Sequence, residues 1–186
     1  ALAYSEKALY SLQEGAPSPG VSFDLDSAQA AVYYTLGQIA YGSGLGEERT
    51  MYYYGQSFRL QEGRPDLLPL RLHCLMGQSR FYAERRQFTE AIPPLEQADS
   101  LWAAHSRAFL DHPEYHNIER KLLRHRGYYH KRNGDYELAI DYYQRYLRIT
   151  EQAFKTPRAH RYVLTNVEIS WIYRQLWIAH GHLDPR

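Results

Sequence analysis

Small residues recur along this chain at a fixed distance from a larger residue, and this spacing constrains the fold more than any other feature. Gly127 is followed twelve positions later by Ala139, and four positions after that by Tyr143. Two further sets repeat the spacing, the second with one extra residue in its Gly-rich turn: Ser79, Ala91, Leu95 and Gly37, Thr50, Tyr54. Small residues let two helices approach closely, and a large side chain fills the space beside them. The recurrence therefore predicts repeated pairs of packed helices.

The rest of the chain favours helices throughout. Sustained period-two alternation is absent, and with it any Asn-Gly hairpin, whereas Gly and Pro punctuate stretches with helical periodicity. We predict an all-α fold of about seven or eight helices. We expect one continuous array over residues 1–186, made of a second helix at 1–14, three full units at 27–62, 67–110 and 113–154, and a first helix at 157–182.

The stretch from Asn133 to Tyr146, Asn-Gly-Asp-Tyr-Glu-Leu-Ala-Ile-Asp-Tyr-Tyr-Gln-Arg-Tyr, resembles the turn and second helix of the tetratricopeptide repeat (TPR) family. This resemblance implies a right-handed α-solenoid of antiparallel helix pairs. Successive anchors Ala1, Thr50, Ala91 and Ala139 are 49, 41 and 48 residues apart, well beyond the usual 34. That spacing is similar to the stretched repeats of bacterial regulatory and peptide-sensing TPR proteins.

Two positions depart from the family pattern. His130 stands where an aromatic residue is usual, and Pro93-Pro94 falls near the start of a second helix. Because proline lacks the backbone N–H, we expect that helix to begin late or to kink.

Both ends read as cuts through a longer helical array, so we interpret the chain as a fragment. The helical pattern of small residues is already present at residue 1. The sequence Gly181-His-Leu-Asp184 is similar to the sequence of the turn that begins at Gly134. Neither a signal peptide nor a run of 18 apolar residues is visible. This favours a cytoplasmic location, or a periplasmic one if an upstream signal has been removed.

The sequence argues against an enzyme and against a bound cofactor or metal. It contains no Gly-rich phosphate loop and no nucleophile elbow. Cys74 is the single cysteine, which excludes an intrachain disulfide or a Cys-rich zinc module, and its neighbour His73 faces another side of a helix. His112 and His116 have the spacing of metal ligands, but the intervening Pro113 favours a solvated loop and a capping histidine.

The strongest functional signal is local charge. The whole chain has a net charge of only +1, whereas residues 118–132 carry six basic side chains against Glu119, a local net charge of +5. Lys121, Arg124, Tyr128 and Lys131 recur at offsets of three, four and three, so they share one helix face.

In TPR arrays the first helix of each pair lines a concave groove, so the resemblance assigns groove positions to residues that point away from the small anchors. The resulting partner-binding candidates are Tyr34, Gln38, Tyr41, His73, Arg80, Lys121, Arg124, Tyr128 and Lys131. The matching face of the last helix contains Glu168, Trp171, Gln175 and Ile178. A basic, Tyr-rich groove suits an extended peptide with acidic residues or a free carboxylate.

Other interpretations of the same residues remain open. The basic side chains of residues 118–132 can coat a solvated face and pair with Asp135, Glu137 or Asp141. The carboxylate clamp of co-chaperone TPR domains is incomplete, since Tyr34 and Gly77 stand where Lys and Asn are expected. Nucleic acid is disfavoured, because one basic patch on a near-neutral chain gives little support.

We therefore expect a non-catalytic scaffold that binds a protein or peptide. One alternative is the sensor or ligand-binding segment of a larger bacterial signalling or transcriptional regulator. Another is a structural assembly scaffold that self-associates through uncapped terminal helices, because a solenoid without capping repeats exposes apolar faces.

Overall fold

A computed structural model describes residues 2–14, 24–110, 117–154 and 166–183. These residues form eight α-helices and one short 3₁₀ segment, Pro65–Leu67, with no strand among them. The helices are α1 Leu2–Glu14, α2 Leu25–Gly42, α3 Glu47–Leu60, α4 Leu68–Glu84, α5 Phe88–Leu110, α6 Ile118–Asn133, α7 Tyr136–Phe154 and α8 Asn166–Leu183. The predicted all-α class and the predicted number of helices are confirmed.

The helices belong to two compact units, Ala1–Phe81 and Tyr82–Arg186, and α4 contributes residues to both. The predicted starts at residues 113 and 157 lie outside the described residues. The remaining predicted segments correspond to α1, to α2 with α3, and to α4 with α5.

In the first unit, α2 and α3 form an antiparallel pair. Ser57 donates a hydrogen bond to the carbonyl oxygen of Ala30 (2.7 Å), and the Tyr54 ring packs on Gly37. A Cβ atom at Gly37 would lie 2.8 Å from the ring, so the close approach requires a residue without a side chain. Asp24 caps the start of α2 by accepting a hydrogen bond from the backbone N–H of Ser27.

In the second unit, α6 and α7 form a pair of the same kind. Tyr143 packs on Gly127, where a Cβ atom would lie 2.6 Å from the ring. Gly134 makes the tight turn between the helices with a left-handed backbone (φ 94°). His130, the departure from the family pattern, stacks on Tyr142 with ring centroids 5.4 Å apart.

The helix that contains Pro93 and Pro94 neither begins late nor kinks at the prolines, contrary to expectation. Helix α5 begins at Phe88, before both prolines, and its non-helical backbone angles occur at His105 instead. The two missing N–H donors would have bonded to the carbonyl oxygens of Thr89 and Glu90. Both of these residues are exposed, so water can satisfy their carbonyl groups.

Candidate functional site

In the first unit, predicted contact residues from α2 and α4 lie side by side. The rings of Tyr34 and His73 have centroids 6.2 Å apart. Further along both helices, the Arg80 guanidinium lies 5.6 Å from the centroid of the Tyr41 ring, which also meets Phe81 edge-on. Residue numbers rise in the same direction on both helices, so α2 and α4 are parallel and present one aromatic and cationic face.

Gln38, the remaining candidate in this unit, has a structural partner. Its amide donates a hydrogen bond to the Tyr54 hydroxyl (2.6 Å). The same hydroxyl lies so close to Gly77 that a Cβ atom there would be only 2.8 Å from the hydroxyl oxygen. Burial raises the pKa of Tyr54 well above that of a free phenol, so the hydroxyl stays neutral. Sequence reasoning treated Gly77 only as a gap in a carboxylate clamp and missed that it makes room for Tyr54.

In the second unit, α6 and α8 place Tyr128 and Lys131 against aromatic and polar partners. Tyr128 and Trp171 have ring centroids 6.1 Å apart. The Lys131 ammonium donates a hydrogen bond to the side-chain oxygen of Gln175 and lies 5.7 Å from the centroid of the Tyr128 ring. Helical periodicity predicted one shared face of α6 for Tyr128 and Lys131, and the resemblance to TPR proteins assigned Trp171 and Gln175 to the matching face of α8.

Among the described residues, no acidic side chain compensates the charge of Lys131. Partial burial lowers the pKa of Lys131, and the positive charges of Arg132 and Arg174 lower it further. Within the described part of the chain, Lys131 forms no ion pair. Its only direct partners there, a neutral amide and a ring face, leave the positive charge without a counter-ion.

Other cations of residues 118–132 have structural roles. Arg126 forms ion pairs with Asp99 and, at 3.8 Å, with Glu96, both from α5. The Arg126 guanidinium also lies 4.3 Å from the centroid of the Tyr142 ring. Arg120, a second cation of the segment, is buried.

The acidic partners of Arg126 therefore come from the preceding helix, α5, and not from Asp135, Glu137 or Asp141 as the alternative interpretation expected. Of the acidic residues expected to pair with the basic segment, Asp141 approaches Arg145 (3.9 Å) and Asp135 pairs with His130 (3.1 Å). The remaining candidates differ in environment, since Lys121 is exposed and Arg124 is half-buried.

The neighbours His73 and Cys74 face different helices. Cys74 is fully buried, where its thiol lies 3.4 Å from the Ser57 hydroxyl, and burial raises its pKa. His73 instead lies beside Tyr34.

No cluster of His, Cys, Asp or Glu suited to a metal ion occurs among the described residues, and His112 and His116 lie outside them. None of the described helices has the length and apolar character needed to cross a bilayer.

Comparison with protein families, with curated proteins and with solved structures found no match. The resemblance to TPR proteins therefore rests on the spacing and the packing of this chain alone.

Proposed function

We propose that this chain is a non-catalytic module that binds an acidic segment of a protein or peptide. Its anchor is Lys131, on the face that α6 and α8 form in the second unit. The observation that carries the proposal is the partly buried Lys131 ammonium, which lies near Arg132 and Arg174 without a carboxylate partner among the described residues.

A cation removed from water among like charges is costly unless an anion compensates it. A carboxylate of the ligand would supply that charge through a charge-assisted hydrogen bond. Because the Gln175 side-chain oxygen already accepts one ammonium hydrogen, it orients Lys131 and leaves two hydrogens for the ligand.

Aromatic surface adjoins the cation on this face. Tyr128 lies next to Lys131, Trp171 lies next to Tyr128, and both rings are only partly buried. Such rings provide contact area at a small cost in side-chain entropy, and their polar groups can bond the ligand backbone. We therefore expect the preferred ligand to combine an acidic residue with a nearby apolar or aromatic one.

The first unit offers a second surface of similar chemistry. Tyr34 and His73 form its aromatic part, and Arg80 beside Tyr41 supplies the cation. We assign this surface the same class of ligand, whereas Gln38 serves mainly to hold the Tyr54 hydroxyl.

Selection from a random peptide display library tests the proposal without a known ligand. We expect peptides enriched on the wild-type chain to be rich in Asp and Glu, each near an aromatic or aliphatic residue. Synthetic versions with Gln and Asn in place of the acids should bind at least about tenfold more weakly, because a hydrogen bond to a charged group contributes roughly 1.5–3 kcal/mol.

Variants then locate the site. Lys131→Met should weaken binding of the selected peptides by a similar factor, whereas Lys7→Met, which removes an exposed lysine from α1, should leave the affinity unchanged. Lys121→Glu, at an exposed lysine of the same helix face, should weaken binding further without lowering the melting temperature. Selection without acidic enrichment, or equal affinity of wild type and Lys131→Met, would rule out the proposal.

A further inference from the structure

A tyrosine occupies the same position in three second helices, three residues after the small anchor: Tyr4 in α1, Tyr53 in α3 and Tyr142 in α7. Tyr53 packs in a buried cluster with Leu36 and Ala40 of α2. Tyr142 stacks on His130 and lies 4.3 Å from the guanidinium carbon of Arg126. Tyr4, in contrast, is 82% exposed.

In α2 and α6, the first helices of their pairs, this tyrosine packs against residues at two corresponding positions. Leu36 and Ala40 lie one residue before and three residues after Gly37. Arg126 and His130 stand in the same relation to Gly127. The receiving face of a first helix is therefore defined by these two positions on either side of the small residue.

Contacts between parallel first helices fix the corresponding positions in α8. In the first unit Tyr41 of α2, four residues after Gly37, meets Arg80 of α4, which directly follows the small residue Ser79. In the second unit Lys131 of α6, four residues after Gly127, meets Gln175 of α8. Arg174, the residue before Gln175, therefore occupies the small-residue position of α8.

The receiving face of α8 consists of Tyr173 and Trp177, one residue before and three residues after Arg174. These side chains are 55% and 78% exposed, and no described helix covers them. Large exposed aromatic residues grouped on one helix face are typical of an interaction surface. This face and the exposed Tyr4 correspond in position to the two sides of the contacts that Tyr53 and Tyr142 make within the chain.

We propose that α1 of one copy of this chain docks antiparallel on α8 of a second copy. Tyr4 packs between Tyr173 and Trp177 of the other copy, as Tyr142 packs on Arg126 and His130. Arg174 is larger than Gly37 and Gly127, which occupy the corresponding position in α2 and α6. In α1, the residue after Tyr4 is a serine, which is smaller than Tyr143, the residue after Tyr142 in α7.

The proposed contact is heterologous, since it joins two different surfaces. Each added copy again offers one α1 and one α8, so association continues into chains or closes into rings. The docking face uses Tyr173 and Trp177 of α8, whereas the peptide site uses Trp171 and Gln175 with α6. Arg174 adjoins both surfaces, and either proposal can fail alone.

Sedimentation velocity over a wide range of protein concentration tests the contact. We expect the wild-type chain to increase in mass with concentration, and Tyr4→Glu and Trp177→Glu each to remain monomeric. Both replaced side chains are largely exposed, so far-ultraviolet circular dichroism should match wild type. Tyr52→Glu, at an exposed tyrosine of α3, is the matched control and should associate like wild type.

Mixing the two monomeric variants identifies the geometry. Tyr4→Glu keeps an intact α8 face and Trp177→Glu keeps an intact α1 face, so the mixture should form a one-to-one dimer that neither variant forms alone. A wild-type chain that stays monomeric at high concentration would overturn the proposal. Association of Tyr4→Glu alone would also overturn it, because contact between two α8 helices would then explain self-association.

Discussion

The ring of Tyr143 lies directly on the backbone of Gly127, and a Cβ atom there would be 2.6–3.0 Å from three ring atoms. Tyr54 and Gly37 repeat this arrangement in the other unit, with corresponding distances of 2.8–3.2 Å. Ring atoms are rigid, so they cannot move away without displacing the tyrosine from its buried site. The two glycines are therefore needed for packing, although both lie inside helices, where glycine is otherwise unfavourable.

We expect Gly127→Ala to destabilise the fold by roughly 1–3 kcal/mol, the usual cost of overpacking, despite the higher helix propensity of alanine. Chemical denaturation of the two proteins measures the difference. Gly55→Ala in α3 is the matched control, because among the described residues no atom beyond its chain neighbours and the helix's own backbone lies within 4 Å of the added Cβ. This control should gain up to about 1 kcal/mol. Equal stability of Gly127→Ala and wild type would contradict the assigned packing.

We expect removal of the hydroxyl group to have opposite effects on the stability of the fold at Tyr54 and at Tyr143. The Tyr54 hydroxyl accepts a hydrogen bond from Gln38, whereas the Tyr143 hydroxyl is buried without a partner among the described residues. Tyr54→Phe should therefore cost about 0.5–1.5 kcal/mol of unfolding free energy. Tyr143→Phe should be neutral or stabilising, because it removes an unsatisfied polar group. A loss of stability in Tyr143→Phe similar to that in Tyr54→Phe would show that both hydroxyl groups are bonded.

Local spacing carried most of the information on the fold. The distance from Gly127 to Ala139 and Tyr143 was sufficient to predict a helix pair, because a small residue and the ring that covers it are set by adjacent elements. The effect of Pro93 and Pro94 was not predictable in the same way. It depends on whether the carbonyl groups one turn earlier reach solvent, which is a property of the folded molecule.

In the candidate site, too, positions within one helix were predictable from the sequence and contacts between helices were not. Helical periodicity placed Tyr128 and Lys131 on the face where the structure has them, opposite Trp171 and Gln175. It could not show that Arg126 is neutralised by Asp99, since those residues are 27 positions apart in different helices. Local net charge therefore overstated how much of the basic segment is available to a partner.

Ser57 is expected to control the exposure of the only cysteine. Its hydroxyl donates to the Ala30 carbonyl oxygen and accepts a hydrogen bond from the side-chain amide of Gln61 (2.8 Å), beside the Cys74 thiol. Ser57→Ala leaves buried polar groups unsatisfied, which costs about 1–3 kcal/mol. Labelling of native Cys74 by a thiol reagent should accelerate accordingly, because the buried thiol reacts only after local opening.

A serine variant far from Cys74 in the sequence is the control for this labelling experiment. Ser11→Ala, at an exposed serine of α1, should leave the rate of Cys74 modification unchanged. An equal rate in wild type and Ser57→Ala would show that the hydroxyl does not hold this part of the core.

Acid should selectively weaken the contact between Asp24 and Arg64. Hydrogen bonds from Arg64 and Ser27 hold the pKa of Asp24 below its usual value near 4. The pair therefore adds stability above about pH 4, and this contribution is lost as the pH falls through the lowered pKa of the folded state. Asp24→Asn keeps a capping side chain but removes the charge. Its melting temperature should be below that of wild type at neutral pH, and the difference should shrink in acid.

Asp26→Asn provides the comparison for that series, because Asp26 lies in the same helical turn and is exposed. Its difference from wild type should be smaller at neutral pH. A pH-independent difference between Asp24→Asn and wild type would show that the carboxylate charge is not the source of the stability.

Titration of Lys131 tests the electrostatics of the proposed peptide site directly. The pKa of Lys131 is lowered by partial burial and by the nearby charges of Arg132 and Arg174. Arg174→Gln removes one of these charges, which makes protonation less costly, so the pKa of Lys131 should rise. Nuclear magnetic resonance of isotopically labelled lysine side chains measures the change, and Arg59→Gln, at an exposed arginine of α3, should leave it unaffected. Binding of an acidic peptide should raise the same pKa, whereas a Lys131 that titrates identically in all these samples would show that the three cations do not form one electrostatic site.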